Sequence, residues 1–592
     1  MKDLIRESPV GQAVRWISNK RILQYPEERA DFVLPLQYIT TINSEKGLLT
    51  RRSSDEAMRA ISSAGSTRKV RHTGEKDFES LRLSRTKSRL DTEPYSNERL
   101  QVEQQLALER TQTIPIIPKV SSDGTILMDW YTTDDPANPQ NWSNMKRGWV
   151  AIVIGVYTFV VYAGSAIYTP SESGVIHEFN VNETETSLPL ALYVLAYGIG
   201  PLLWAPLSEI PIIGRSPVYI TTFFLFTILS LPTAMVNNFA GLLVLRFLQG
   251  FFGSPCLANG PASMQDIYSL LNLPYALVAW VACSFCGPAL GPVISAFAVT
   301  AEGWRWSLWE ILWAAGPVLI VMALLLPETS SPTILLQRAA RLRKLTGDPR
   351  IKSQGEIDQK NLTPTGILLG AVIKPIEITL KDPAIAFVNL YTALVYATYY
   401  SFFEVFPLVY PPMYGFSLGM VGVVFTCIQV ACFIGMAVYI AYLYFYLVPD
   451  IKKNGMRAQE HRLVPAIIAS FGPPLGLFIF AWTSNPSIHW IAPTIGITIY
   501  ATSVFVILQC VFVYVPLSYP QYAASLFAGN DFVRSATACG SILFSKPMFN
   551  NLGVGKGVSV LGGLSTLGIF GMITLYLIGA KLRARSKFAQ SG

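Results

Sequence analysis

The sequence predicts an all-α membrane protein with twelve transmembrane helices in two six-helix halves. Hydrophobic residues make up 51% of the 592 residues and charged residues only 14%, and the mean hydropathy is +0.38. This composition is too apolar for a soluble protein of that size. The apolar residues also gather into blocks long enough to cross a bilayer, and a charged segment separates six of these blocks from the other six.

Each block contains about 20 to 25 residues, which is enough to cross a hydrocarbon core of roughly 30 Å with some tilt. The twelve predicted spans, numbered here in chain order, are residues 148–168, 187–207, 216–236, 240–262, 275–299, 307–327, 383–407, 420–446, 463–483, 490–516, 523–548 and 557–579. Duplicated halves with a substrate site between them, near the middle of the membrane, are typical of secondary transporters.

The same pattern divides the chain into regions. Residues 1–147 are rich in Lys, Arg, Glu, Asp and Ser and contain no membrane-length apolar stretch, so we expect a largely disordered tail. The predicted regions are the cytoplasmic N-terminal tail 1–147, the first six-helix bundle 148–327, the cytoplasmic central linker 328–382, the second six-helix bundle 383–579 and the basic cytoplasmic tail 580–592.

Lys and Arg residues collect on one side of the predicted spans, in both tails and in the central linker. Because Lys and Arg are enriched in cytoplasmic loops, this side and both termini are predicted to be cytoplasmic. The net charge of +8 then needs no nucleic-acid partner. The sequon of Asn182 falls on the opposite side and those of Asn141 and Asn361 on the cytoplasmic side, so only Asn182 is predicted to carry a glycan.

Several classes of membrane protein are disfavoured by missing motifs. The sequence has no G-x-x-x-x-G-K-[S/T] phosphate loop and no H-E-x-x-H zinc motif, and its four histidines are scattered. We therefore expect neither an ATPase nor any other enzyme, and no cofactor or metal. Uphill transport would depend on an ion gradient. The C-x-x-C of Cys283 and Cys286 lies at membrane depth, where packing explains it better than redox or metal chemistry.

Ionisable residues within the spans are the candidates for coupling, because a charge stranded in lipid is costly. Arg246 in span four has small residues on its helix face and serves either in transport or as an anchor on backbone carbonyls. Asp531 and Arg534 in span eleven are three residues apart, which favours a static pair over a titrating acid. Glu404 in span seven is flanked by aromatic residues, an environment that favours a protonated carboxyl, or it is merely interfacial.

Aromatic residues share helix faces in spans two and seven. Most such residues in membrane proteins pack or form interfacial belts. Clustered deep in the helices beside an acid, they would also suit bulky, flat or cationic compounds through stacking and cation–π contacts. The candidates for substrate binding are Tyr193, Tyr197, Tyr396, Tyr399, Tyr400 and Phe403.

Several motifs converge on one family. They include P-L-S-E-I-P-I-I-G-R-S-P-V-Y after span two, L-R-F-L-Q-G-F-F-G-S-P in span four, G-P-A-L-G-P in span five and P-E-T-S-S-P-T-I at the start of the linker. In these motifs, and over nearly its whole length, the chain resembles major facilitator transporters. The resemblance is specifically to the twelve-span fungal drug:proton antiporters that export fluconazole, benomyl and similar compounds, and it implies the major facilitator fold.

The resemblance also implies roles for residues at matching positions. The loop after span two is similar to the facilitator gating motif at Glu209, Gly214 and Arg215, although Pro206 replaces the leading glycine and two residues are inserted. Arg246 matches the span-four arginine that the family links to proton transfer. The antiporter signature of the family falls on Gly287, Pro288, Gly291 and Pro292. Span one lacks the acid that binds protons in some bacterial relatives, so Glu404 and then Asp531 are the expected proton carriers.

Together these features predict a proton-coupled antiporter that exports small toxic or drug-like compounds, such as azoles and benomyl-like fungicides, across the plasma membrane by alternating access. The expected partners are those compounds, protons and the lipid bilayer, and we expect a monomer. Export of polyamines or of a secreted metabolite, nutrient symport, and a receptor that does not transport remain alternatives. The resemblance of the span-five motif to the antiporter signature implies export rather than uptake.

Overall fold

The computed structural model describes residues 2–45, 97–109, 114–121, 123–359, 364–519 and 523–588, and every predicted span coincides with helical structure there. The sequon at Asn361 lies outside the described residues. The spans of the first half are Asn144–Ala166, Leu188–Glu209, Arg215–Ala234, Phe239–Gly253 with Pro255–Ile267, Leu273–Glu302 and Trp306–Leu325. In the second half, span seven is Pro383–Tyr414, and span eight comprises Leu418–Val424, Thr426–Tyr442, Leu443–Leu447 and Val448–Asn454. Span nine comprises Gln459–Leu463, Val464–Ala469 and Gly472–Thr483. Spans ten, eleven and twelve are Ile491–Ser518, Ala523–Leu552 and Val554–Arg585.

Length and apolarity together identify ten membrane-crossing helical segments in the described chain. An eleventh is counted if Ile373–Lys381 and Pro383–Tyr414, which meet at 106°, form one broken span. Span eleven is 30 residues long but carries three charged side chains, those of Asp531, Arg534 and Lys546. These charges lower the hydropathy of span eleven, and all three residues form buried ion pairs at the interface between the halves or beside it.

The two halves meet along two seams, one between spans two and eleven and the other between spans five and eight. In the first seam, a Cβ atom at Gly198 would collide with the side chain of Ser535. In the second, a Cβ atom at Gly422 would lie 2.9 Å from Cβ of Ala296 and 3.0 Å from the carbonyl oxygen of Pro292. Glycine therefore brings the helices of the two halves together at close range.

Parts of the N-terminal tail are folded. Its described helices are Lys2–Glu7, Pro9–Ile17, Leu36–Glu45 and Asn97–Glu109, with a short turn at Pro26–Glu28. The prediction of a largely disordered tail therefore does not hold for these segments, whereas residues 46–96 lie outside the described residues. The physical reason is that the tail finds partners that composition alone does not reveal: Lys2–Glu7 and Pro9–Ile17 pack against spans three and six, and Leu36–Glu45 packs against the linker.

Helix Leu36–Glu45, the chain before span one and the linker form a small layer beside the membrane helices, at the end of the bundle that carries both termini, here called the tail face. Strand Ile126–Leu127 pairs in parallel with Ile351–Lys352 of the linker, and linker helices span Ser331–Thr346, Gln354–Gln359 and Pro364–Lys381. The core of the layer is Tyr38, Ile42, Ile126, Met128, Trp130, Leu335, Ala339, Leu342 and Ile351.

A buried ion network ties the same layer together. The Arg338 guanidinium lies 2.6 Å from a carboxylate oxygen of Asp135 and 3.2 Å from Glu27, and Arg341 lies 3.1 Å from Glu27. Desolvation raises the pKa of the Asp135 carboxyl, but its ion pair with Arg338 and two backbone N–H donors outweigh this and leave the pKa below its ordinary value. The tail, the lead-in to span one and the linker thus form one connected structure.

Candidate transport site

A small cavity, with a volume of about 20 Å³, lies between the two halves. Spans one and five of the first half and spans seven, ten and eleven of the second contribute its wall. The lining residues are Tyr162, Trp280, Val281, Ser284, Phe285, Pro288, Tyr396, Tyr399, Val504, Leu508, Phe512 and Arg534. The wall is thus mostly aromatic and aliphatic, with one guanidinium, which is the usual character of a site for small organic molecules.

The predicted aromatic residues do not all line this cavity. Tyr396 and Tyr399 do, whereas Phe403 lies one turn further along span seven, with its ring 5.8 Å from that of Tyr399. Tyr193 is turned toward span one, where its hydroxyl donates to the carbonyl of Val161 at 2.7 Å. The geometry therefore gives Tyr193 a structural contact rather than a position in the cavity wall.

Four hydroxyl groups form a buried chain beside the cavity. The Tyr197 hydroxyl is hydrogen-bonded to those of Tyr396 and, at 2.8 Å, Tyr400. The Tyr400 hydroxyl is in turn 3.2 Å from the Ser165 hydroxyl. Since Ser165 and Tyr197 belong to the first half and the other two to the second, this chain joins the halves at the level of the cavity.

Asp531 and Arg534 form a buried ion pair within span eleven. The Arg534 guanidinium also lies over the ring of Tyr396, at 4.5 Å from its centroid. The pair that the three-residue spacing suggests is therefore formed, and it presents the guanidinium to the cavity. Arg534 is polarised on one side by a carboxylate and on the other by an aromatic face.

Glu404 lies in a polar cluster toward the end of the bundle opposite the tail face, here called the far face. Its side chain is 0% exposed, so it is not interfacial. Its carboxylate accepts a hydrogen bond from Ser187 at 3.1 Å and lies 3.1 Å from the ammonium of Lys546. Lys546 also pairs with Glu172, a residue just beyond span one. A single ammonium therefore bridges two buried carboxylates.

Arg246 is fully buried and is held by the end of span one. Its guanidinium donates to the carbonyls of Gly164 at 2.9 Å and Ser165 at 3.1 Å, and it lies 4.4 Å from the ring centroid of Tyr193. These carbonyls belong to the last turn of the helix, where they lack partners within the helix and carry its negative dipole end. The arrangement fits the anchoring hypothesis and also places the cation beside the hydroxyl chain.

The glycines of the span-five motif pack against span one of the same half. A Cβ atom on Gly287 would lie 2.7 Å from the carbonyl oxygen of Phe159 and 2.8 Å from the amide nitrogen of Ala163, and one on Gly291 would lie 2.9 Å from the Ala163 carbonyl oxygen. Pro288 lines the cavity. The motif therefore brings span one close to the cavity, while the other face of span five meets the second half.

An acid outside the predicted gating loop, Glu328, binds the backbone of that loop. Arg215 pairs with Asp266 at the end of span four, at 2.6 Å, and it is close enough to Glu209, at the end of span two, for their charges to attract each other. The carboxylate of Glu328 accepts the backbone N–H groups of Arg215 at 3.2 Å and Ser216 at 3.1 Å. Gly214, with φ of +79°, makes the turn, and a Cβ there would lie 2.9 Å from Thr333.

Glu328 thus caps the N-terminus of span three, where a carboxylate is favoured by the helix dipole and by free N–H groups. Desolvation raises the pKa of the Glu328 carboxyl above its ordinary value, and backbone donors from Ser330, Ser216 and Arg215 oppose that shift. The gating loop is in this way joined to the start of the linker.

Several residues of the site are not among those predicted from the sequence. Lys546 lies inside predicted span eleven, and a lone lysine at membrane depth is itself a signal of function. Glu172 lies in an acidic loop that gives no such signal. Trp280 and Phe512 line the cavity, but nothing in the sequence separates them from aromatic residues that face lipid.

The chain is similar to known membrane transporters. A family model described as Major Facilitator Superfamily matches residues 154–541. The chain is 46% identical over 472 residues to an MFS-type transporter, pyvG, of Aspergillus violaceofuscus, covering 80% of this chain and 87% of that protein. It is 36% identical over 600 residues, 100% of both chains, to the Cycloheximide resistance protein of Candida maltosa. It is 37% identical to Fluconazole resistance protein 1 of Saccharomyces cerevisiae, covering 80% and 86%.

Solved structures show the same fold. The human organic anion transporter MFSD10 aligns with a TM-score of 0.51 and 14% identity, over 73% of this chain and 100% of its own. The proton:xylose symporter XylE aligns with a TM-score of 0.50 and 12% identity, over 74% and 96%. At these identities the likeness concerns the fold alone.

Proposed function

This chain belongs to the Major Facilitator Superfamily, among its fungal drug-resistance transporters, and from this premise we propose that it exports small toxic compounds in exchange for protons. It is a membrane transporter and not an enzyme. The observation that carries the proposal is the aromatic cavity between the halves, together with two buried acids: Glu404, nearer the far face, and Asp531, beside the cavity wall.

The cavity favours uncharged, flat compounds over cations. Among the described lining residues, Arg534 carries the one charged group, and the carboxylate of Asp531 already neutralises it. A cationic compound would find aromatic faces here but no carboxylate among the described lining residues. The names of two relatives, which refer to cycloheximide and fluconazole resistance, are consistent with substrates of this kind. Azoles and benomyl-like fungicides are therefore the compounds to test first.

Proton coupling in this proposal uses Glu404 as the carrier. A carboxylate withdrawn from water favours its protonated form, which makes such a residue suitable for carrying a proton through the membrane. Tyr400 lies one helical turn before Glu404 in span seven. The hydroxyl chain runs from Ser165 through Tyr400 and Tyr197 to Tyr396, and the guanidinium of Arg534 lies over the ring of Tyr396. Protonation of Glu404 and occupancy of the cavity can therefore influence each other through one turn of span seven and the hydroxyl chain.

The proposal also includes the placement of the protein. We place it in the plasma membrane with the tail face and both termini in the cytoplasm, following the distribution of Lys and Arg. Asn182 is then extracellular, and its side chain caps the short helix Glu183–Thr186 in an exposed position. A monomer suffices, because both halves of the cavity come from one chain. The region boundaries at residues 147, 327, 382 and 579 belong to the same proposal.

Efflux of a fluorescent azole-like dye from cells that express the protein at their surface tests the proposal. Efflux should stop when a protonophore collapses the pH gradient, and Glu404→Gln or Arg246→Ala should abolish it while surface expression persists. Phe445→Leu, which changes an exposed side chain of span eight, is the matched control and should transport normally. Accumulation driven by the gradient would instead show symport, and absence of any transport would contradict the proposal.

A further inference from the structure

Lys546 connects the two halves of the transporter at the far face. It contacts Glu172 of the first half and Glu404 of the second. We propose that Lys546 and Glu172 form a latch that holds the far face closed, and that one proton shared by the two carboxylates permits the latch to close. This inference rests on the proposed function and adds two positioning residues to it.

The latch must break when the far face opens. Lys546 lies on span eleven and Glu404 on span seven, two helices that pack along each other within the second half. Glu172 begins the helix Glu172–Phe179, which follows span one in the first half. A movement of one half against the other therefore preserves the contact between Lys546 and Glu404 and separates Lys546 from Glu172.

The charges of the cluster do not balance without a proton. Two carboxylates and one ammonium leave a net charge of −1, and an uncompensated charge is unfavourable in a buried site. In the described chain, one oxygen of Glu172 and one of Glu404 are buried without a hydrogen-bond partner. Either oxygen can hold the proton that makes the cluster neutral, so in the closed state the two carboxylates share the proton that Glu404 carries.

The groups around the cluster do not supply the missing positive charge. Ser187 donates its hydroxyl to Glu404, and Tyr168 lies between the cluster and Arg246, close enough for all three charges to act on it. Arg246 directs its donors to the carbonyls of span one. Glu183, on the next short helix, adds a further negative charge near Glu172.

The consequence is a requirement for the return step. With the far face open, Glu172 and the Lys546–Glu404 pair contact the external solution. Closure without a proton would bury a net charge of −1, whereas closure after one proton has bound buries a neutral cluster. Proton binding from outside therefore favours the closed far face, which is the direction that an antiporter needs after it has released its substrate.

Substitutions that change the charge count should change the external-pH dependence of transport in different ways. Glu172→Gln leaves one carboxylate and one ammonium, so closure needs no proton, and efflux should lose its dependence on external pH. Lys546→Gln leaves two carboxylates, so closure needs two protons, and half-maximal efflux should shift to an external pH lower by at least one unit. The double variant Glu172→Lys with Lys546→Glu again has two carboxylates and one ammonium, so it should restore the dependence of efflux on external pH.

A buried ion pair outside the seam provides the control. Arg583 lies 2.7 Å from Glu460, and both residues belong to the second half. Glu460→Gln and Arg583→Gln should reduce the yield of folded protein without changing the pH at which efflux is half-maximal. The latch is wrong if Glu172→Gln keeps the pH dependence of the unmodified protein, or if the two control variants shift it equally.

A second measurement separates failure of the latch from failure of the proposed function. If the unmodified protein shows no dependence on the pH gradient, proton-coupled export is wrong, but the latch can still be tested. Glu172→Cys with Lys546→Cys, joined by a short thiol-reactive cross-linker such as a bis-maleimide, should stop exchange of labelled substrate across the membrane, while either single variant treated in the same way should continue to exchange it. Unchanged exchange in the joined protein would overturn the latch.

Discussion

The sulfur atoms of Cys286 and Cys432 lie 3.9 Å apart, although the first belongs to span five and the second to span eight. All seven cysteines are free, and Gln429 donates to the Cys286 sulfur at 2.8 Å. The two thiols therefore face each other across the seam between the halves. A disulfide needs its sulfur atoms about 2.05 Å apart, so only a small approach separates this pair from a cross-link.

We expect a membrane-permeant oxidant such as copper phenanthroline to join Cys286 to Cys432 and to reduce efflux at least tenfold, because alternating access requires the halves to move at this seam. A reductant should restore transport. Cys286→Ser should remove the sensitivity, whereas Cys539→Ser, in span eleven, should retain it. Mass spectrometry of digested protein identifies the cross-link, and full efflux by the cross-linked protein would show that this seam does not move.

The glycine face of span five gives a prediction about packing. Gly287→Ala places a methyl group 2.7 Å from a backbone oxygen of span one, and overpacking of this kind typically costs about 1–3 kcal/mol. Gly291→Leu should have a larger effect and should abolish transport. Gly316 in span six has no atom within 4 Å of an added Cβ, so Gly316→Ala should be neutral or stabilising by up to about 1 kcal/mol.

Thermal unfolding of the purified variants in detergent, together with dye efflux, measures these effects. Equal Tm values for Gly287→Ala and Gly316→Ala would contradict the close approach of spans one and five. Wild-type efflux by Gly291→Leu would show that the span-five motif does not need its small face.

The hydropathy of the sequence was sufficient to predict the helices of the fold, because each span had to be long and apolar. It did not reveal the contacts that close the site, since these join residues far apart in the chain. Glu328 caps span three from 112 and 113 residues away, and Arg246 reaches carbonyls 81 and 82 residues before it. Capping signals read from sequence are local, so caps of this kind cannot be recognised there.

The residues of the site also differ in how far the sequence could predict them. The charges Arg246, Glu404, Asp531 and Arg534 could be predicted because charged residues are rare at membrane depth. Tyr193 was predicted for the cavity because it shares a helix face with Tyr197, yet its hydroxyl bonds to span one. Helical spacing defines a face but does not determine which neighbour that face meets.

The cap provided by Arg246 predicts that lysine cannot replace it. Lys keeps the charge but lacks the planar fork that donates to two carbonyls at once. Loss of one charge-assisted hydrogen bond costs roughly 1.5–3 kcal/mol, so Arg246→Lys should lower the Tm and reduce efflux severalfold, with a larger loss for Arg246→Met. Arg305→Lys, at an exposed contact with Glu178, is the control. A fully active Arg246→Lys would reduce the role of Arg246 to its charge.

The cap provided by Glu328 predicts a defect in the gating loop. Glu328→Gln replaces one acceptor oxygen by an NH₂ group that cannot receive the N–H groups of span three, and an unsatisfied donor costs about 1–3 kcal/mol. Hydrogen exchange should therefore increase at the amides of Arg215 and Ser216, and efflux should fall. Glu302→Gln, exposed at the end of span five, should change neither. Unchanged exchange at both amides would show that the carboxylate is not their acceptor.

The tail helix Asn97–Glu109 connects loops of the two halves at the tail face. The Met456 amide, between spans eight and nine, donates to Asn97 at 2.7 Å, and the Leu270 amide, between spans four and five, donates to Glu103 at 2.8 Å. Asn97→Ala removes one acceptor, so hydrogen exchange at Met456 should rise about fivefold to tenfold, as expected for loss of about 1–1.4 kcal/mol.

Exchange at Leu270 should rise as well if the helix docks as a unit, because its attachment to the second half would then be weakened. Asn454→Ala is the matched control, because the side-chain amide of Asn454 donates to Asp450 within its own helix. This variant should leave hydrogen exchange at the backbone amides of Met456 and Leu270 unchanged. Exchange at Met456 that is the same in Asn97→Ala as in the unmodified protein would show that the tail helix does not hold the second half.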